Sequence, residues 1–276
     1  MVDEFGAELS VIGKRNPDPQ AANIVTGRYD FPEDHNRPGK LYARILGSPY
    51  ARAKVLSINT SKAEALAGVK AVITYKDYSQ WGDGTLLCWG QEVAAVAAVD
   101  EGTAEHALEL IEVTYNVGVP VIDPDEAMKP GAPNTGVFPD VNVTPTTSAL
   151  TRGDVAKGFT EADVTIEETT GYSNRHTQNH IEPESAFAWW EGDNVYCWSS
   201  TQNPFGQKAG IAAALKVPLN RVHLYCHGVG GGFGGKGQSN QEVVCALLSK
   251  RQVSPWLRSC RGEPTHLSAG TTTGQN

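Results

Sequence analysis

The run Gly228-Val-Gly-Gly-Gly-Phe-Gly-Gly-Lys236 places six glycines in nine residues. It constrains the fold more than any other stretch, because it removes side chains where backbone must approach something closely. A strand-like segment, Arg221–Cys226, precedes it and a helix-like one, Gln241–Ser249, follows. Strand, glycine loop and helix in that order form an anion-binding geometry. Glycine takes positive φ without strain, successive N–H groups can converge on one acceptor, and the helix adds the positive end of its dipole.

Two familiar nucleotide motifs fail on inspection. A P-loop needs Ser or Thr directly after Gly-Lys, and Lys236 is followed by Gly237. A dinucleotide fingerprint can be forced onto Gly230, Gly232 and Gly235, but so glycine-rich a run passes almost automatically. The loop also lies in the last fifth of the chain, not after the first strand of a βαβ unit. A tight or flexible loop without ligand is the plain alternative.

Other segments read as an α+β chain. Lys40–Leu46, Val55–Asn59 and Gly68–Thr74 alternate as strands, and Glu92–Val99 is apolar enough for a central strand. Helical runs are expected from Thr60 to Leu66, Thr103 to Leu110 and Gln207 to Leu215. Ala186–Trp190 and Asn194–Trp198 predict a hairpin about Glu191-Gly-Asp193, and Val164–Thr170 predicts an edge strand. Trp189, Trp190 and Trp198 read as core aromatics, with a substrate funnel as the alternative. Residues 128–147, rich in Pro, Gly, Asn and Thr, read as a linker.

A net charge of −8, from 31 acidic and 23 basic residues, argues against nucleic acid or an anionic membrane as partner. The chain has neither a signal-peptide pattern at Met1–Gly6 nor a run of 18 apolar residues, so a cytoplasmic location without a membrane span is expected. Cys88, Cys197, Cys226, Cys245 and Cys260 are widely spaced with no C-x-x-C pair, so no zinc or iron–sulfur site is written locally. Cys226 and Cys245 flank the loop and read as small core residues.

The loop, with its Phe and Lys, resembles the molybdenum-binding segment of the xanthine dehydrogenase and aldehyde oxidase family. Further landmarks follow the family's order: Gly90–Val96 through Ile111–Tyr115 and Val121–Asp123, Gly153–Lys157 through Glu161–Val164, and His180-Ile-Glu-Pro183 with Ala186 and Ala188. Ser200-Thr-Gln202-Asn-Pro-Phe205 and Lys216–Val222 complete the set. The resemblance covers residues 15 to 250. It implies an extended segment over 1–20, a hammerhead-like α/β domain over 21–127, a linker over 128–147 and the first part of a molybdopterin-binding α+β domain over 148–251. Residues 252–276 depart from the family and read as an irregular, disordered tail. A naturally split subunit and a truncated or frame-disrupted chain are both open at that point.

The resemblance also implies a chemistry. In the family, a molybdenum held by molybdopterin, in plain or cytosine dinucleotide form, puts water-derived oxygen onto an electron-poor carbon of an aromatic, heterocyclic or aldehyde substrate. Electrons then pass to [2Fe-2S] and FAD on partner subunits. Carried over, Gln202 would hydrogen-bond near the metal's oxygen ligand, and Gly231, Gly232, Phe233 and Gly234 would contact the oxo ligand and pterin through their backbone. Neither Gln202 nor Phe233 would ligate the metal directly. Gly237 stands where purine-oxidising members have a substrate-binding Glu, which puts purine specificity in doubt. The family's catalytic base, a Glu, lies in a C-terminal region that this sequence lacks. No catalytic residue is therefore assigned in this chain, and Glu182 and Glu184 are read as architectural. The expected partners are a second half of the molybdopterin subunit, an iron–sulfur subunit and an FAD subunit. Hydration or reductive dehydroxylation at the same centre, or a non-catalytic assembly role, are the alternatives.

Overall fold

The computed structural model describes residues 6, 9–135, 142–143, 152–171, 178–237, 240–251 and the backbone of 256–261. Half of the expected linker, most of the first eight residues and everything beyond 261 lie outside these residues. Ten strands are described: β1 Tyr42–Gly47, β2 Ala53–Asn59, β3 Val69–Thr74, β4 Thr85–Leu86, β5 Glu92–Ala98, β6 Glu112–Val117, β7 Ala186–Glu191, β8 Asn194–Ser199, β9 Val222–Tyr225 and β10 Trp256–Arg261. The helices are α1 Ala21–Val25, α2 Ser61–Ala65, α3 Glu101–Glu109, α4 Pro124–Ala127, α5 Val155–Glu161, α6 Pro204–Leu215 and α7 Gln241–Arg251.

The principal sheet runs β3-β5-β1-β10-β7-β8-β9, and a smaller one runs β4-β2-β6. β5 is buried on both faces from Val93 to Ala98, as its unbroken apolar run requires, and it pairs antiparallel with both β1 and β3. Asp100 caps α3 by accepting from the Thr103 N–H at 2.7 Å. Arg44 on β1, buried, reaches Glu101 at 2.7 Å and Glu105 at 3.1 Å, which ties α3 to the sheet.

β7 and β8 form the expected hairpin, with Glu191 opposite Asn194 and Gly192 at φ +57° in the two-residue loop. β8 and β9 pair in parallel, so the chain must cross over between them, and α6 makes that crossing. Asn203 caps α6, with Pro204 at its first position and Lys216 closing it in the left-handed region at φ +55°. α7 is buried from Gln241 to Ala246 and packs on β7, β10 and β3. Its last residue, Arg251, donates to the Val72 carbonyl at 2.5 Å and pairs with Asp77, so this helix joins the two halves of the chain.

Two expectations are corrected. Residues 252–276 are not irregular throughout: Trp256–Arg261 forms β10, parallel to β1 and antiparallel to β7, making one sheet of the strands before and after residues 128–147. Val164–Thr170 is not a strand. All seven residues are exposed, and none makes a backbone hydrogen bond among the described residues. Period-two alternation marks a face to be covered, but a strand also needs a neighbour to pair with. The aromatics are core as expected for Trp189, which is buried, and for Trp190, whose Nε1 donates to the Ala246 carbonyl at 2.9 Å.

Candidate cofactor site

Parallel pairing of β8 and β9 brings their C-terminal ends out side by side, with Trp198 opposite Tyr225. Crevices at the C-terminal ends of parallel strands are where α/β sheets place ligands. From β8 the chain continues through Ser200-Thr201-Gln202, and from β9 it enters the glycine loop. The two segments lock together through backbone as well as side chains. The Gln202 N–H donates to the Lys236 carbonyl at 2.8 Å, and the Thr201 hydroxyl donates to the same oxygen at 3.1 Å.

Gln202 folds onto the loop. Its Oε1 accepts from the N–H of Gly234 at 3.1 Å and of Lys236 at 3.3 Å, leaving its Nε2 without a partner among the described residues. The neighbouring Asn203, not Gln202, caps α6, accepting from the Gly206 N–H at 3.1 Å. Glycine is required where this contact is made, since a Cβ on Gly232 would stand 2.5 Å from Gln202 Cδ. Gly231 and Gly234 take φ of +94° and +87°, and Phe233 between them takes +48°. A bulky residue in the left-handed region is strained, and here its side chain is 71% exposed, so no packing within the described chain explains it.

Beneath the loop sits a buried charge cluster. Lys236 is wholly buried, and its Nζ donates to Glu182 Oε2 and to the Ser200 hydroxyl, both at 2.8 Å. The same Glu182 oxygen accepts from the Ser200 hydroxyl at 2.5 Å and from the Gly230 N–H at 2.6 Å. A Cβ on Gly230 would meet Glu182 Cβ at 2.5 Å, so glycine is needed here too. Glu182 Oε1, His180 Nδ1 and the Tyr29 hydroxyl are buried without partners among the described residues. Burial, with Lys236 nearby, holds the His180 imidazole below its usual range, and burial raises the Tyr29 phenol.

A second acidic group lies under α7. Glu242, buried, accepts from the Ser199 hydroxyl and from Gln207 Nε2, the latter at 2.8 Å. Glu184 accepts from Gln241 Nε2 at 2.8 Å; burial pushes its carboxyl up to about 7, with Glu242 adding to the shift and the Gln241 bond opposing it. Burial likewise raises Glu92. Cys245 is buried and its thiol faces the Ala186 carbonyl, while Cys226, half-buried, donates to the Thr201 carbonyl at 3.3 Å, consistent with packing roles for both.

The structure therefore brings Gln202, Gly231, Gly232, Phe233 and Gly234 together. The N–H groups of Gly231, Gly232 and Phe233 form no hydrogen bond among the described residues, although Gly232 is buried. Three successive backbone donors, unpaired among the described residues and beside a positive φ, are of the kind that can bind an anionic group. Gly234 departs from expectation, since its N–H is engaged by Gln202. At Gly237 a Cβ would meet only the Gly234 carbonyl, at 3.8 Å, so the space a side chain would take is open. The Glu182–Lys236 pair was not read as a unit from sequence. The two residues lie 54 positions apart, so no local pattern joins them.

The chain resembles known proteins on both sides of residues 128–137. A family model of the aldehyde oxidase and xanthine dehydrogenase a/b hammerhead domain matches residues 26–118, and one of the molybdopterin cofactor-binding domain matches residues 138–257. A probable xanthine dehydrogenase subunit from Bacillus subtilis (strain 168) is 32% identical over 251 residues, which is 86% of this chain and 33% of that protein. The nicotinate dehydrogenase large molybdopterin subunit of Eubacterium barkeri is 28% identical over 281 residues, covering 96% of this chain and 65% of that protein. CO dehydrogenase from Oligotropha carboxidovorans superposes with a TM-score of 0.75 at 26% identity, over 89% of this chain and 34% of that one. The chain thus spans about a third of the length of most of the relatives it matches, and 65% of the nicotinate dehydrogenase subunit. It belongs to the xanthine dehydrogenase and aldehyde oxidase family of molybdenum oxidoreductase subunits, of which it carries the hammerhead domain and the first part of the molybdopterin-binding domain.

Proposed function

We propose that this chain supplies the glycine-loop side of the cofactor site in a multi-subunit molybdenum hydroxylase or dehydrogenase. The supporting observation is the set of unpaired N–H groups at Gly231, Gly232 and Phe233, held beside the free amide of Gln202. When bound, the molybdenum cofactor supplies oxygen transfer from water and accepts two electrons from substrate. The chain's own residues have positioning tasks. Gly231, Gly232 and Phe233 would hold the anionic cofactor through backbone donors fixed before it arrives, which is how electrostatic stabilisation avoids reorganisation. Gln202 would present its Nε2 to an oxygen ligand of the metal, its Oε1 being held by the loop. The Lys236–Glu182 pair fixes the loop from below.

Under this reading residues 21–127 and 148–251 act as two functional units, the base is supplied from outside residues 1–276, and electrons leave to iron–sulfur and FAD subunits in the cytoplasm. Gly237 leaves an open wall in the substrate region, which suits aldehydes or heteroaromatics that need no carboxylate there better than a purine held by one. The test is to isolate the complex containing the tagged chain from its own host and measure molybdenum and released pterin. Dye reduction with nicotinate, hypoxanthine and an aromatic aldehyde then assigns the substrate. Stoichiometric molybdenum and pterin are expected; an active complex without either refutes the reading.

A further inference from the structure

The glycine loop is gripped at both ends, and the grip at its entry comes from the opposite end of the chain. At the exit, Gln202 and Thr201 bond the Lys236 carbonyl. At the entry, two residues that precede β1 reach the backbone where it leaves β9. Gln20 Nε2 donates to the His227 carbonyl at 3.2 Å. The Tyr29 ring meets Gly228 end-on: a Cβ on that glycine would stand 2.2 Å from the Tyr29 hydroxyl and 2.8 Å from its Cζ. The hydroxyl is buried and has no hydrogen-bond partner among the described residues, so what it gives the loop is contact.

Residues 20–37 are not core. No residue of α1 is buried, yet the segment is pinned across the outer strands of the sheet. The Arg37 guanidinium stands 4.2 Å from the centre of the Trp189 ring on β7, and the His35 ring 3.8 Å from that of Trp198 on β8. Trp198 in turn meets His227 edge-on at 4.6 Å. Between His35 and Tyr29 the chain is turned by buried Pro32 and by Asp34, which accepts from the Phe31 N–H at 2.9 Å. Phe31 braces the Tyr29 ring edge-on at 4.9 Å. Exposed segments open locally at little cost unless such contacts hold them, and two of these contacts fall on the loop.

We propose that residues 20–37 are a strap that fixes the entry of the glycine loop, with Tyr29 as its positioning residue. The ring is a stop for Gly228, two residues before Gly230, whose N–H and carbonyl are both held by Glu182, at 2.6 and 3.2 Å. Only glycine lets the stop come so close. With Gly228 and Gly230 seated, the turn through Gly231 to Phe233, with its positive φ values, is held from both sides, and its N–H groups keep their place beside Gln202. The link to a bound cofactor rests on the functional reading above; the stop does not.

Hydrogen exchange read by mass spectrometry over residues 227–237, in the complex isolated with the tagged chain, reports the bonded amides of Gly230, Gly234, Gly235 and Lys236. Tyr29→Leu removes the atoms that meet Gly228 and keeps an apolar stem. It should raise exchange there by at least about tenfold while β5 exchanges as in the parent. Tyr29→Phe keeps Cζ as a stop and loses only a hydroxyl without a protein partner, so it should match the parent within about twofold. Gly228→Ala should loosen the loop as Tyr29→Leu does, and the two together no further than either alone, because Leu vacates the space the new Cβ needs. Molybdenum per chain should fall to about half or less in Tyr29→Leu and stay at the parent level in Tyr29→Phe. An unchanged loop in Tyr29→Leu, equal loosening in Tyr29→Phe, additive effects in the double variant, exchange raised equally in β5, or full molybdenum on a loosened loop overturns the proposal. The expected exchange pattern in a parent complex that lacks molybdenum would defeat the functional reading alone. A molybdenum-loaded complex whose loop is indifferent to Tyr29→Leu would defeat the strap alone.

Discussion

Replacing Lys236 with Met removes the cation bonded to Glu182 while keeping the volume of the buried stem. Lys236 is fully buried and Glu182 is 8% exposed, so solvent cannot replace the lost charge. The Glu182 carboxylate would keep two donors, the Ser200 hydroxyl at 2.5 Å and the Gly230 N–H at 2.6 Å, and lose the ammonium at 2.8 Å. Breaking a buried pair from one side costs about 3–5 kcal/mol, because the remaining charge stays desolvated. For a chain of this size that corresponds to a melting shift of roughly 10 °C. The pair itself is weakly stabilising by comparison, since removing both charges also removes both desolvation penalties. Lys236→Met combined with Glu182→Gln should therefore recover most of the loss, Gln retaining an acceptor for Ser200 and Gly230. Urea unfolding of the purified chain, followed by the fluorescence of its six tryptophans, gives the four corners of the cycle. A single substitution costing less than about 0.5 kcal/mol, the level of an ordinary surface change, or a double variant that loses the sum of both singles, would refute the account of the loop's foundation.

Glu184, pushed up to about 7 from an ordinary 4.5, binds a proton more readily folded than unfolded; its contribution to stability is greatest below pH 4.5 and declines as pH rises to about 7. Glu184→Gln keeps the acceptor for Gln241 and should flatten the fall in urea midpoint between about pH 5 and pH 7; an unchanged slope contradicts the assignment. Gly232→Ala sets a Cβ 2.5 Å from Gln202 Cδ and should displace that side chain, so the complex is expected to lose its molybdenum while the chain stays folded; full metal content in the variant rules out the proposed role of Gln202. Asn203→Ala removes the α6 cap and should cost about 1 kcal/mol in urea unfolding, with cofactor content unaffected.

Local chemistry was legible wherever short-range rules decide the structure. The Gly192 turn of the β7–β8 hairpin and the apolar run of β5 each announce their element within a few residues, whereas the expected α6 run from Gln207 missed the first turn, which begins at Pro204. The glycine loop was legible as a place of close approach, and its order relative to Gln202 and the His180–Pro183 segment was enough to recognise the family. Period-two alternation misled at Val164–Thr170, because it reports which face is apolar and not whether a neighbouring strand exists.

The sequence by itself thus determined most of the longer elements, the family and the glycine-loop and Gln202 residues that resemble its cofactor site. The tertiary structure alone decided what each of them bonds. It paired Lys236 with Glu182, 54 residues away, gave the Gln202 carbonyl to Gly234 and Lys236, and left the donors of Gly231, Gly232 and Phe233 unpaired among the described residues. It also set β10 between β1 and β7. The physical reason is common to all of these: helix and turn signals are written in neighbours along the chain, whereas burial, charge pairing and strand order depend on which distant segments the sheet brings side by side.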